Sequence, residues 1–109
     1  MPGTCWAAGE IDLATAPAFS AELRRTIDGT DEQIVTVDCA AVTFMGTAGY
    51  RVLAAATEYA AMRSHTLVIR SLSHACARMI RLCDSYGELR GEACAPVGSM
   101  APAHLNIMA

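Results

Sequence analysis

Thr47 is the side chain whose surroundings point most directly to chemistry. It stands in Gly46-Thr47-Ala48-Gly49, where the run Val42-Thr43-Phe44-Met45 breaks into small residues before a helix begins at Tyr50. Small residues expose backbone N–H groups, and the unpaired amides and positive dipole end of a helix N-terminus suit an anion or a capping oxygen. Thr47 is placed to supply that oxygen. A phosphate esterified to it would rest where the amides and dipole stabilise its charge. Caps are frequent, so from spacing alone an unmodified N-cap is the simpler reading.

The other reactive side chains form no catalytic constellation. No Ser/His/Asp or Cys/His set occurs at a working spacing, and Asp12 with Asp38 does not make a paired-carboxylate pocket. No catalytic residue is expected, and the chain reads as a non-enzyme. Cys5, Cys39, Cys76, Cys83 and Cys94 are odd in number and follow no secretory signal, which favours reduced cytosolic thiols. Cys39, beside Asp38 at a strand end, is the candidate for a reactive thiol, while Cys76 and Cys83 read as small core residues. There is no CxxC pair, and His65, His74 and His104 lack zinc-ligand spacing, so neither metal nor cofactor is expected.

The elements that must hold Thr47 follow from periodicity. The 109 residues amount to one small domain, and 21 alanines against 22 Leu, Ile, Val and Phe predict a thin, closely packed core. Cys5 to Asp12 is a weak strand, after which Thr15 offers a cap and Pro17 lies in the first turn of a helix. Phe19, Leu23 and Ile27 recur on one face of that helix, which closes near Gly29. Ile34 to Asp38 is a β-branched strand expected to be central and buried on both faces. The second helix runs from Tyr50 to Arg63, with Val52, Leu53, Ala56 and Ala60 as its buried stripe. Thr66 to Ile69 is the next strand, and Ser73 caps a helix carrying Cys76, Ile80 and Cys83 on one face; Gly87 lies past its end. Arg78 and Arg81 fall on its solvated face. Glu88 to Cys94 is a weak edge strand. The last fifteen residues form a loose tail in which Leu105, Ile107 and Met108 dock as a short turn.

Alternation of strand and helix predicts an α/β domain: a small mixed, mostly parallel β-sheet with helices packed on it. Its exposed first strand requires cover by a helix or a partner. All eight positive charges are arginine, and the net charge of −3 argues against direct nucleic-acid binding. Apolar stretches of four or five residues fall far short of the roughly 20 that span a bilayer, so no membrane insertion is expected.

Gly9-Glu10-Ile11-Asp12, the Ile34 to Asp38 strand, Phe44-Met45-Gly46-Thr47-Ala48-Gly49 and the following helix and strand together resemble the STAS domain of bacterial anti-sigma factor antagonists. The resemblance runs over about residues 5 to 94, with residues 1–94 as the domain and 95–109 as a C-terminal tail. The family's pattern is a Gly-Glu-Leu-Asp-like turn followed by Phe-Met-Asp-Ser-Ser-Gly-Leu. It implies a cytoplasmic, non-catalytic switch that binds an anti-sigma factor, often a serine kinase, and releases a sigma factor until phosphorylation blocks the contact. The phosphoacceptor falls on Thr47, and the partner-binding residues fall on Asp12, Gly46, Ala48, Gly49 and Tyr50. The motif's aspartate is Gly46 here, its acceptor serine is a threonine and its leucine is Tyr50. The N-terminus lacks a strand that the family places before Cys5. An alternative consistent with these changes is a non-catalytic STAS subunit of a stress-signalling scaffold or of a lipid-transport ATPase complex.

Overall fold

The computed structural model describes residues 3–90 and 105–108. Among them the elements are β1 (Thr4–Ile11), α1 (Ala16–Asp28), β2 (Ile34–Met45), α2 (Thr47–Met62), β3 (Thr66–Arg70), α3 (His74–Arg90) and β4 (Asn106–Met108). The strands join in the order β1-β2-β3-β4, and each described pairing is parallel. The expected α/β class holds, with a sheet that is parallel throughout the described residues.

Sequential order explains where the core lies. Right-handed crossovers between successive neighbours lay each helix on the same face of the sheet. Val35, Val37 and Cys39 of β2 are accordingly buried, while Thr36 and Asp38 are half-buried and Ile34 is 56% exposed. β2 is central, as expected, but it is covered on one face and not on both. It is also longer than its β-branched segment, because Val42 and Met45 continue to feed the core and pair the strand with the second half of β1.

The helix faces follow the apolar spacing. Phe19, Leu23 and Ile27 are buried on α1; Leu53, Ala56 and Ala60 on α2; Cys76, Ile80 and Cys83 on α3. Alanines let α2 lie close to β3 while it packs between α1 and α3. The Ser73 hydroxyl caps α3 as expected, accepting the Cys76 N–H at 3.1 Å. Gly87 does not end that helix. Glu88, Leu89 and Arg90 are good helix formers, and a single interior glycine costs only about 1 kcal/mol. The expected strand from Glu88 is therefore helical to Arg90, and its remainder to Cys94 lies outside the described residues. Near the C-terminus, Asn106–Met108 is a strand beside β3 and not a turn, which satisfies backbone groups on that side of the sheet.

The β1 edge is blunted by its own irregularity. Pairing with β2 shifts register between Trp6 and Ala8 and again between Gly9 and Glu10, and Gly9 takes φ +76°, a conformation that favours glycine. Bulges of this kind twist an edge away from further pairing.

Candidate functional site

The carboxyl ends of β1 and β2 lie side by side and open into the turns that lead to α1 and α2. The Gly46 N–H donates to the Ile11 carbonyl at 2.9 Å, so backbone alone ties the two turns together. In open α/β sheets this end of the strands is where binding sites gather.

On the β1 side, Asp12 and Thr15 exchange bonds. The Thr15 N–H donates to Asp12 Oδ1 at 3.0 Å, and the Asp12 N–H donates to Thr15 Oγ1 at 2.9 Å. This is the reciprocal geometry of a capping box, with aspartate in the leading position. Thr15 was expected to cap α1 with its hydroxyl, but its backbone is already helical and that hydroxyl accepts the Asp12 N–H instead of an amide inside the helix. The cap moves to Asp12 because the Asp12 carbonyl already accepts the Thr15 and Ala16 N–H groups at 3.2 and 2.8 Å. The Thr15 backbone N–H, helped by the Thr15 hydroxyl, holds the Asp12 carboxyl below the usual carboxylate range. Asp12 is half-buried, and its carboxylate shapes the turn as well as lining the site.

On the β2 side, Gly46 is the N-cap of α2, with φ −94° and ψ −178°, and no side chain caps the helix. Its carbonyl accepts the Gly49 and Tyr50 N–H groups at 3.0 and 3.3 Å. The helix thus begins one residue earlier than a Thr47 cap would require. Thr47 becomes its first helical residue, with an exposed side chain. Where the motif's aspartate would cap the helix, Gly46 contributes backbone only.

The six residues singled out from sequence divide by depth. Thr47 is exposed, and Asp12, Gly46 and Ala48 are half-buried. Gly49 and Tyr50 are buried, Tyr50 to 2% exposure, and neither presents a face to a partner. A Cβ on Gly49 would lie 2.8 Å from Met45 Cγ and 2.9 Å from Ile11 Cγ2, so glycine here lets α2 seat against the ends of both strands. These two residues support the surface from beneath.

Two apolar side chains are exposed at this same end of the sheet. Leu13, in the β1–α1 turn, is 83% exposed, and Phe44, near the end of β2, is 49% exposed. The Phe44 ring borders Gly46: a Cβ on that glycine would meet Phe44 Cε2 at 3.6 Å. Periodicity could not single them out as exposed, although a leucine in the short turn Asp12-Leu13-Ala14-Thr15 is a detectable anomaly. The site is therefore a shallow mixture of apolar side chains, one free-standing hydroxyl and a helix N-terminus without an acidic first turn. Among the described residues, no group of three or more His, Cys, Asp or Glu could hold a metal ion.

A family model described as Mlab, STAS domain matches residues 5–90, a span that contains each of these site residues. The chain belongs to the STAS domain family. No curated protein matches it. STAS domains mediate protein–protein interactions, and the surface at the start of α2 has the chemistry for such a contact. No described helix is long and apolar enough to cross a membrane.

Proposed function

We propose that this STAS domain is a cytoplasmic anti-sigma factor antagonist that acts by binding and not by catalysis. It engages an anti-sigma factor through Thr47, Ala48, Leu13 and Phe44 and thereby releases a sigma factor. The observation that carries this reading is the exposed Thr47 at the first position of α2, with Phe44 and Leu13 exposed at the same end of the sheet. Apolar side chains supply contact area, and a phosphate on Thr47 would add about −1.5 to −2 charge that a partner must desolvate.

Affinity capture with the unmodified chain and with Leu13→Asp and Phe44→Asp baits tests the surface. Both positions are exposed, so the variants are expected to fold and to lose an anti-sigma factor that the unmodified chain retains. Equal capture by all three baits would assign binding elsewhere. Regulation is tested separately by incubation with a partner serine kinase and ATP: a phosphoryl mass gain mapped to Thr47 supports it, and no gain refutes it.

Gly46 favours a second reading. Without the motif's carboxylate beside the acceptor, the surface serves equally as a constitutive contact, as in a non-catalytic STAS subunit of a lipid-transport ATPase complex. Capture of an ATPase subunit in place of an anti-sigma factor would decide for it.

A further inference from the structure

The described helices cover one face of the sheet and leave the other open. Val35, Val37 and Cys39 of β2 join residues of α1, α2 and α3 in a single core cluster, so the alternate residues Ile34, Thr36 and Asp38 face the opposite way. Register extends that open face sideways. Thr36 lies between Thr4 and Val68, and Asp38 lies between Trp6 and Arg70. Trp6 is 60% exposed and Ile34 is also exposed. One surface apolar residue needs no explanation, but these two share a face with Val68.

The charges on this face fit a second copy of it. Asp38 Oδ1 accepts the Ala40 N–H at 3.0 Å, and Asp38 Oδ2 lies 3.6 Å from Arg70 Nη2, an ion pair too long for a hydrogen bond. The Arg70 side chain is 43% exposed, so it has room for a second carboxylate. One acid and one base side by side on neighbouring strands are self-complementary. A twofold axis parallel to the strands, between β2 and β3, sets the Asp38 of each copy opposite the Arg70 of the other, and Thr36 opposite Val68. Glu10 shares the open face, further along β1 beside Phe44, and that axis puts the two copies' Glu10 on opposite flanks. The chain carries a net charge of −3, which opposes self-association in general, whereas the centre of this face is neutral.

We propose that two copies of this chain pack face to face through the open side of the sheet, burying Trp6 and Ile34 and forming reciprocal Asp38–Arg70 pairs across the contact. Sheets stack in this aligned way in β-sandwiches. The four strands present roughly 450 Å² at about 4.8 Å between strands and about 3.3 Å per residue. Two such faces fall at the weak end of specific interfaces, below about 1,200 Å² in total, so the dimer is concentration-dependent. The contact uses the amino-terminal halves of β1 and β2 and leaves Thr47, past the other end of β2, outside it.

Trp6 is the chain's one tryptophan, so its emission reports on this face alone. The test follows the full chain by sedimentation velocity and by Trp6 emission from about 1 μM to about 1 mM, the range in which a weak contact forms. The expected result is a monomer giving way to a dimer, with a blue shift of Trp6 emission over the same concentrations. Asp38→Arg and Arg70→Glu are each expected to weaken the dimer at least roughly tenfold, because each sets like charges face to face, and to restore it when mixed. Trp6→Glu, at an exposed position, is expected to stay monomeric. The wild-type series alone decides the matter should a variant fail to fold. A chain that is monomeric throughout would overturn the proposal: water-exposed Trp6 emission would then assign the face to a different protein, and shielded emission to a segment of the same chain. A dimer that forms without moving Trp6 emission, or that survives Trp6→Glu, would place the contact elsewhere and overturn it equally.

Discussion

At its C-terminal end α2 is fastened to α1 by side chains, whereas at its N-terminal end it is fastened to β1 by backbone and packing. Asp28, the last residue of α1, accepts from Tyr59 Oη at 2.9 Å and from Arg63 Nε and Nη2 at 2.9 and 2.8 Å. The Arg24 and Arg63 guanidinium groups lie 4.7 and 5.1 Å from the Tyr59 ring centroid. At the other end no side chain caps the helix, and Gly49 presses on Met45 and Ile11. The contrast separates holding from presenting. A polar clamp consumes its functional groups in fixing α1 to α2, while an end seated by glycine packing and one backbone bond leaves the Thr47 side chain exposed.

The N-terminal seat of α2 is most vulnerable at Gly49. Gly49→Ala places a methyl group in a space already filled by buried side chains, and is expected to cost roughly 1–3 kcal/mol, read as a lower denaturant midpoint with an unchanged slope. An unchanged midpoint would mean that α2 is not seated by close packing at this end.

Removing Asp28 attacks the other end more gently, because its partners are exposed and screened. Asp28→Asn is expected to lower the thermal midpoint slightly, by less at high salt. The pH dependence has a definite sign. Hydrogen bonds from Arg63 and then Tyr59 hold the Asp28 carboxyl below the usual range, and Asp12 is held down by Thr15. Both contributions are fully present above the unfolded carboxylate value of about 3.9, and are lost as pH falls through the lower folded values. Thermal unfolding followed from neutral pH into acid should show that loss. Asp28→Asn should abolish its Asp28 share and leave the Asp12 share.

Giving the presenting end a clamp of its own should change stability least. Gly46→Asp restores a capping carboxylate at a position whose φ is unstrained and whose Cβ meets only ordinary contacts, and should stabilise α2 by a few tenths of a kcal/mol, roughly the difference between glycine and aspartate caps. A raised midpoint with unchanged partner binding would show that capping and presentation are separable.

Much of the fold was legible because its signals are local. Phe19, Leu23 and Ile27 announced α1, and Cys76, Ile80 and Cys83 announced the buried side of α3. What failed depended on tertiary context. One-sided burial of β2 follows from the order of the strands, which no window of sequence contains. Continuation of α3 through Gly87 and pairing of Asn106–Met108 with β3 are likewise decided by neighbours. At the site, motif position located Thr47, but depth could not be read from it. Tyr50 replaces a leucine and is buried as an apolar residue would be, while Leu13 and Phe44, apolar by type, lie at the surface. The shift of the α2 cap from Thr47 to Gly46 is a single-residue matter of which carbonyl accepts the first helical bond.

The presenting end of α2 is the proposed docking surface for a partner. It is tested most directly by titrating a captured anti-sigma factor with the unmodified chain, Thr47→Glu and Asp28→Asn. Thr47→Glu is expected to bind with at least a roughly tenfold weaker Kd, a change of about 1.4 kcal/mol, and Asp28→Asn with an unchanged Kd. Thr47→Glu binding as tightly as the unmodified chain, with Asp28→Asn weakened, would contradict it.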